Sequence, residues 1–218
     1  GLIFYSKKIK DNDLFLKILT SKDQVISGMV YGGNSSKKKM IFQVGYFINF
    51  IINQKTKNSP PYFNADISYP YLGTIINDKY KTSALLSIVS LINLAIIEGQ
   101  IIKGFYKTIY NLISLIIIKK HWIVIYCEWL FNLLQLIGYE IDYKSNSNKK
   151  FYDIFNKVFL HESNNNTIEF PHNVFLNRKK LFFNDINSIF LIFESIFINN
   201  HLENNYLQMP VNFLNFKN

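Results

Sequence analysis

Three consecutive lysines, Lys37, Lys38 and Lys39, could together neutralise a regular array of negative charge. They end a loop, residues 31–39, that lies between two strand-like segments and is rich in Gly, Asn and Ser, so we expect it to be flexible. Lysine ammonium groups are rarely buried, and these three should face solvent. The phosphates of a nucleic acid are the first candidate ligand. The alternative is a solvated loop in which the lysines only maintain solubility.

Basic residues are concentrated in the N-terminal part of the chain. The formal net charge is +9; residues 1–80 hold 11 lysines and 5 acidic residues, a balance of +6, and the remaining residues carry +3. A lysine contacts phosphate as a point charge, without the two-pronged geometry of arginine. The charge distribution therefore predicts that an anionic partner binds the N-terminal part.

Catalytic and metal-binding patterns are missing from the sequence. There is no Walker-type Gly-Lys loop, no dinucleotide-binding glycine motif and no Gly-x-Ser-x-Gly motif. Cys127 is the single cysteine and lies in an apolar helical stretch, which favours buried packing. Asp11 and Asp13 could hold a cation, although turn chemistry also explains them. We expect no metal, no cofactor and no enzymatic activity, and hence a binding function.

The high apolar content raises the question of membrane insertion. The longest uncharged run, residues 82–97, has 16 residues and includes several polar side chains. A transmembrane helix needs about 20 mostly apolar residues. We therefore expect no membrane span, with a peripheral membrane protein as the alternative, and no signal peptide is visible.

Residues 1–76 carry five strand-like segments, and a polar stretch ending in Pro60 and Pro61 separates the last two. The first four begin at residues 1, 14, 25 and 40, and the fifth lies within residues 62–72. Five short strands at this spacing predict a small barrel, of which the OB-fold is the common form. Such barrels bind nucleic acid through cationic grooves and aromatic platforms. Five aromatic residues could be platforms, although each is also explained as core: Tyr5, Phe15, Phe42, Tyr46 and Phe50.

Residues 77–218 change to a helical pattern, so the predicted fold is α+β, a five-stranded barrel followed by an all-α domain. Residues up to Lys150 are mostly polar and those that follow show no strong periodicity, so residues 143–170 are predicted to form a loop or insert. Residues 202–216 can add a short terminal helix. The predicted longer helices span residues 81–97, 101–118, 122–137 and 184–201.

Five short motifs, in this order, resemble the RecO family of DNA-repair and recombination mediators. The glycine pair Gly32-Gly33 within the second motif is similar to the alphaproteobacterial branch. The resemblance covers residues 1 to about 143 well and the remainder more loosely. The motifs are a Gly-Leu-Ile-Phe-Tyr-Ser-Lys opening at 1–7, a Gly-x-x-x-Gly-Gly segment at 28–33, the lysines at 37–39, Phe-Gln-Val-Gly at 42–45, and Leu-Leu-x-x-x-Gly-Tyr-x-x-Asp at 133–142.

The chain also departs from this family. Tyr31 stands where relatives usually carry a basic residue before the glycine pair. Many relatives have a four-cysteine zinc module where this chain has a polar Asn/Ser/Lys segment, so no zinc is implied. The family's site for the C-terminal tail of single-strand-binding protein uses basic residues near the third helix, and the nearest here are Lys119 and Lys120.

The resemblance implies binding of single- and double-stranded DNA, strand annealing, and help in loading RecA together with RecR and single-strand-binding protein. The mechanism would be non-covalent, because lysines reduce the repulsion between two phosphate backbones. The alternative is a basic adaptor that binds an acidic protein or an anionic membrane. The lysines predicted to contact DNA are Lys7, Lys8, Lys10, Lys17, Lys37, Lys38, Lys39, Lys55 and Lys57.

Overall fold

A computed structural model describes residues 1–10, 12–56, 59–69, 72–176, 182–202 and 207–217. The chain forms two compact units, Gly1–Ile118 and Lys119–Asn218. The first contains a barrel and three helices, and the second contains helices and a small sheet.

The first unit begins with a closed barrel of five strands, as the sequence predicts. The strands are β1 (Leu2–Lys8), β2 (Leu14–Leu19), β3 (Val25–Val30), β4 (Phe47–Asn53) and β5 (Tyr62–Tyr69). Their order around the barrel is β1-β2-β3-β5-β4, and β3 pairs with β5 in parallel while the other pairs are antiparallel. This architecture is consistent with the predicted OB-fold.

Alternation along the strands fills the barrel interior. Leu14, Leu16 and Ile18 of β2 face inward, where they pack with Ile48 and Phe63 of β4 and β5. Successive residues of a strand point to opposite faces, so the intervening residues of β2 lie on the outside. The period of two that predicted these strands is therefore the pattern that separates core from surface.

The connection between β3 and β4 differs from the prediction. The fourth strand was expected from Met40, but residues 31–46 form turns and β4 begins at Phe47. Gly45 adopts a φ of +92°, and a Cβ there would lie 3.1 Å from Leu85 of the following helical region. A positive φ and this close approach are incompatible with a regular strand, which explains the later start.

Three helices complete the first unit: α1 (Leu72–Ile75), α2 (Lys79–Ala95) and α3 (Phe105–Ile118). Asp78 caps α2 by accepting a hydrogen bond from the backbone N–H of Lys81. The Lys81 Nζ donates to the carbonyl of Ile117 at the end of α3, 2.7 Å away. Because α2 also packs against β1, these helices and the barrel form one compact body.

The second unit contains α4 (Trp122–Leu136), α5 (His172–Leu176), α6 (Phe183–Phe197) and α7 (Val211–Lys217). A π-helical turn, Ile198–Leu202, extends α6. Tyr126 of α4 is fully buried, and its ring contacts Phe190 of α6 and Phe216 of α7. The helices expected over residues 122–137 and 184–201 are confirmed with small shifts of their ends, and the short terminal helix is confirmed but begins at Val211 instead of residue 202.

A small sheet occupies the segment that the sequence analysis assigned to a loop or insert. Strands β6 (Phe151–Asp153), β7 (Val158–Leu160) and β8 (Thr167–Glu169) pair in the order β7-β6-β8. Strands of three residues leave almost no period-two pattern in the sequence, and the polar residues around them indicate loop. The second unit is therefore helical with a minor antiparallel sheet.

Among the described residues, no helix is long and apolar enough to cross a membrane. The same part of the chain contains no group of three or more His, Cys, Asp or Glu side chains that could hold a metal ion.

Candidate nucleic-acid interface

The outer face of β1, β2 and β3 carries aromatic and cationic side chains side by side. Since Leu14 and Leu16 face the core, the intervening Phe15 and Lys17 face outward. Residues paired across neighbouring strands lie on the same face of a sheet. The pairing register therefore identifies their neighbours on the outside of the barrel.

Two rows of residues paired across neighbouring strands define this surface. In one row Tyr5 pairs with Lys17; in the other, Lys7 pairs with Phe15, Phe15 with Met29, and Met29 with Tyr62. We call this surface the outer strip. It consists of Tyr5, Lys7, Phe15, Lys17, Met29 and Tyr62.

An aromatic pair lies at one end of the outer strip. The Tyr5 and Phe15 rings meet edge to face, with centroids 6.4 Å apart. The Lys17 Nζ lies 5.4 Å from the centroid of the Tyr5 ring, within cation–π distance. Tyr5 and Phe15 are half-buried, so their rings are partly available to a ligand.

A second aromatic pair lies at the other end, where Tyr31 meets the strip. The Tyr31 and Tyr62 rings have centroids 5.7 Å apart. The Lys55 Nζ lies 5.7 Å from the Tyr31 ring centroid, and the Lys38 Nζ donates to the Tyr31 carbonyl at 3.4 Å. Lysines from the β3–β4 and β4–β5 connections thus meet at one tyrosine.

The lysine loop is folded into successive turns. The backbone N–H of Gly32, at a φ of +66°, donates to the Asp13 carboxylate at 2.7 Å. The N–H of Asn34 donates to the carbonyl of Asn12, also at 2.7 Å. The loop is therefore attached to the β1–β2 turn. Asp13 takes the structural role that turn chemistry suggested, while Asp11 lies outside the described residues.

The predicted lysines do not all face one surface. Lys7 and Lys17 lie on the outer strip, with Lys38 and Lys55 at its Tyr31 end. Lys8 and Lys39 line a separate cavity of about 380 Å³ together with Asn34. The exposed side chains Lys10 and Lys37 lie in the β1–β2 turn and the lysine loop. Lys57 lies outside the described residues.

Lys38 also borders a groove across β4 and β5. This groove, of about 450 Å³, runs past Asn49, Ile51 and Asn64 and contains Asp66. Apart from Lys38, its lining consists of apolar side chains, asparagine amides and one carboxylate. The cationic character of the N-terminal unit is thus stronger at Tyr31 than in this groove.

The five aromatic candidates divide into core and surface. Phe42 is buried in the barrel core, and Tyr46 and Phe50 pack against it, so the core interpretation is confirmed for these three. Tyr5 and Phe15 lie on the outer strip instead. The sequence analysis did not identify Tyr31 and Tyr62 as platforms. The alternation of outward positions in β5 could have indicated Tyr62, whereas nothing local indicates its contact with Tyr31.

The remaining candidates lie in the second unit. Lys119 and Lys120 are exposed in the connection before α4, where they are available to an acidic partner. Cys127 is fully buried, as expected for a packing role. Burial, and to a lesser degree the nearby Glu128 carboxylate, raises the pKa of the Cys127 thiol, which disfavours the reactive thiolate.

Comparison with known proteins identifies distant relatives. No family model matches the chain. It is 27% identical over 111 residues to the DNA repair protein RecO of Rickettsia canadensis, an alignment covering 51% of this chain and 46% of that protein. The RecO protein of Rickettsia akari gives the same identity and coverage. An uncharacterized protein of Rickettsia prowazekii is 27% identical over 92 residues, which are 42% of this chain and 79% of that protein.

The chain therefore spans about half the length of the curated RecO relatives it matches. The similarity agrees with the family whose motifs the N-terminal part resembles. It supports a RecO-like relationship over about half of the chain.

Proposed function

We propose that this protein acts in DNA repair and recombination by binding single- and double-stranded DNA without catalysis and by annealing complementary strands. The observation that carries the proposal is the outer strip together with its Tyr31 end, where lysines of β1 and β2 and of two connections lie beside aromatic rings that are half-buried or exposed. The similarity to RecO and the OB-type barrel support it. OB barrels bind nucleic acid strands with this combination of side chains.

The mechanism is electrostatic. Each lysine that contacts a phosphate releases a counterion, so binding is favourable for any sequence and weakens as salt increases. Two complementary strands bound to one cationic surface repel each other less than they do in solution, and pairing becomes faster. This mechanism needs neither base-specific hydrogen bonds nor nucleotide hydrolysis.

The partners in this proposal are those that the relationship to RecO suggests. We propose that RecR and single-strand-binding protein act together with this chain, and that RecA loading is assisted indirectly. Lys119 and Lys120 are the candidate contacts for the acidic tail of single-strand-binding protein. A cytoplasmic, nucleoid-associated location belongs to the same proposal.

Replacing Lys37, Lys38 and Lys39 together by Ala tests the DNA interface. We expect weaker binding to all sequences alike and a salt dependence, log K against log salt, that is flatter by about 2–3 units, because each phosphate contact contributes about 0.7–0.9. Anisotropy of a fluorescent single strand at several salt concentrations measures both. The matched control replaces Lys79, Lys103 and Lys107, exposed lysines of the same unit outside the outer strip.

An unchanged salt slope in the loop variant would remove the lysine loop from the interface. Equal flattening in the control would mean that net charge alone determines binding. If an acidic peptide or anionic vesicles displaced DNA and bound more tightly, the protein would be an adaptor of the alternative class. Annealing of complementary strands by the wild-type protein is the next measurement.

A further inference from the structure

The Tyr31 ring is exposed, and the backbone that carries it is held by hydrogen bonds. The Tyr31 side chain is 46% exposed, although it directly follows Val30, which is 1% exposed. The carbonyl of Tyr31 accepts from the Lys38 Nζ, and the next residue, Gly32, donates to Asp13. The backbone that carries the ring is therefore held from both sides before any ligand binds.

The neighbouring Tyr62 ring does not stack on the Tyr31 ring. Tyr31 and Tyr62 are tilted by 52°, so they are not stacked and neither ring fully covers the other. The Lys55 Nζ lies within cation–π distance of Tyr31. An aromatic ring with one ammonium group over it and a second at its own backbone carbonyl matches the two parts of a nucleotide, a flat base and an anionic phosphate.

We propose that the Tyr31–Tyr62 pair is a stacking site for an unpaired nucleobase, with Lys38 and Lys55 binding the adjoining phosphates. The substrate that this site selects is single-stranded nucleic acid, because the bases of a duplex are already stacked on one another. Tyr5 and Phe15 are less suited to this role, since they meet edge to face and both are half-buried, whereas Tyr31 is exposed. The inference rests on the proposed DNA binding and adds its preference for single strands.

The test compares two labelled strands of equal length, oligothymidine and an abasic strand with the same phosphates, using residues 1–218 and anisotropy. We expect wild-type protein to bind oligothymidine about 5- to 150-fold more tightly, since a stacked base contributes about 1–3 kcal/mol and 1.4 kcal/mol is tenfold. Tyr31→Ala and Tyr31→Leu should abolish this difference and leave binding of the abasic strand unchanged. Tyr31→Phe, which keeps the ring, should retain the difference in affinity between the two strands.

Tyr80→Ala is the matched control, because Tyr80 lies on α2 with 72% of its side chain exposed and should not affect either strand. Equal wild-type binding to both strands would overturn the stacking site and leave phosphate binding intact. Weaker binding of the abasic strand by both Tyr31 variants would also overturn it, because the tyrosine would then act through the loop. Binding to neither strand would reject the proposed function together with this inference.

Discussion

Two aspartates show how single residues organise the first unit. Asp13 accepts from Gly32 and so attaches the lysine loop to the β1–β2 turn. Asp23, in the β2–β3 turn, accepts from the backbone N–H groups of Gly104 and Tyr106 at 2.7 and 2.9 Å. These donors lie at the start of α3, where backbone N–H groups have no partner within the helix. Asp23 therefore caps a helix that is distant in the sequence.

Replacing Asp23 by Ala should lower the free energy of unfolding by about 1–3 kcal/mol, because two hydrogen bonds to a carboxylate are lost. Its φ of +63° adds strain for Ala, whereas Asn tolerates this conformation. Asp23→Asn also keeps one carbonyl acceptor and should cost less. Urea unfolding of wild type, Asp23→Asn and Asp23→Ala measures the order of their stabilities. Equal stability of Asp23→Ala and wild type would contradict the capping role.

The small sheet of the second unit depends on one buried carboxylate. Asp153, which is 1% exposed, accepts from the backbone N–H of Asn156 and Phe155, both at 2.9 Å. The side-chain amides of Asn156 and Asn164 also donate to it. The hydrogen bonds, that of the Asn156 N–H first, hold the pKa of the Asp153 carboxyl below its usual value. One side chain thus joins the end of β6 to the β6–β7 turn and to the connection that precedes β8.

Acid should weaken this sheet. Because the folded pKa of Asp153 is depressed, its contribution to stability is present above the unfolded pKa of about 3.9 and is lost as pH falls through the folded pKa. Asp153→Asn should be less stable than wild type at pH 6, and the difference should shrink towards pH 3. Urea unfolding at both pH values measures this difference.

Glu162→Gln is the control for Asp153→Asn, since it removes an exposed carboxylate of the same unit. A constant difference between wild type and Asp153→Asn from pH 6 to pH 3 would show that the carboxylate charge has no role in the sheet.

At the scale of the whole molecule, the barrel is part of a larger compact unit. The sequence analysis divides the chain at residues 76 and 77, whereas the compact units divide it after Ile118. Phe47 of β4 contacts Tyr106 and Tyr110 of α3, and α2 packs against β1. The helices therefore cover barrel strands that would otherwise expose apolar surface.

This packing predicts the behaviour of two fragments. Residues 1–118 should unfold cooperatively in urea, while residues 1–76 should bind a hydrophobic dye and lack a cooperative transition, because α2 and α3 are missing. Circular dichroism and dye fluorescence distinguish the two. A cooperative transition of similar midpoint in residues 1–76 would instead support the boundary predicted from the sequence.

Local pattern determined much of the fold. The five strands, the long helices and the burial of Cys127 follow from periodicity and turn residues within short windows, because alternation and helical repeats are local properties. The later start of β4 could not be predicted from local pattern, since it depends on the approach of Gly45 to Leu85. The sheet around Asp153 could not be predicted either, because its strands are too short to show an alternation of apolar and polar residues.

The sequence by itself determined that the N-terminal part is cationic and which lysines were candidates, since charge is a property of composition. Only the tertiary structure decided which of them lie together. Tyr31 lies beside Tyr62 because β3 pairs in parallel with β5, and there Lys55 lies over the Tyr31 ring while Lys38 contacts its backbone carbonyl. Lys8 and Lys39 lie in a different cavity. Contacts between distant segments arise from strand pairing and packing, which no local pattern specifies.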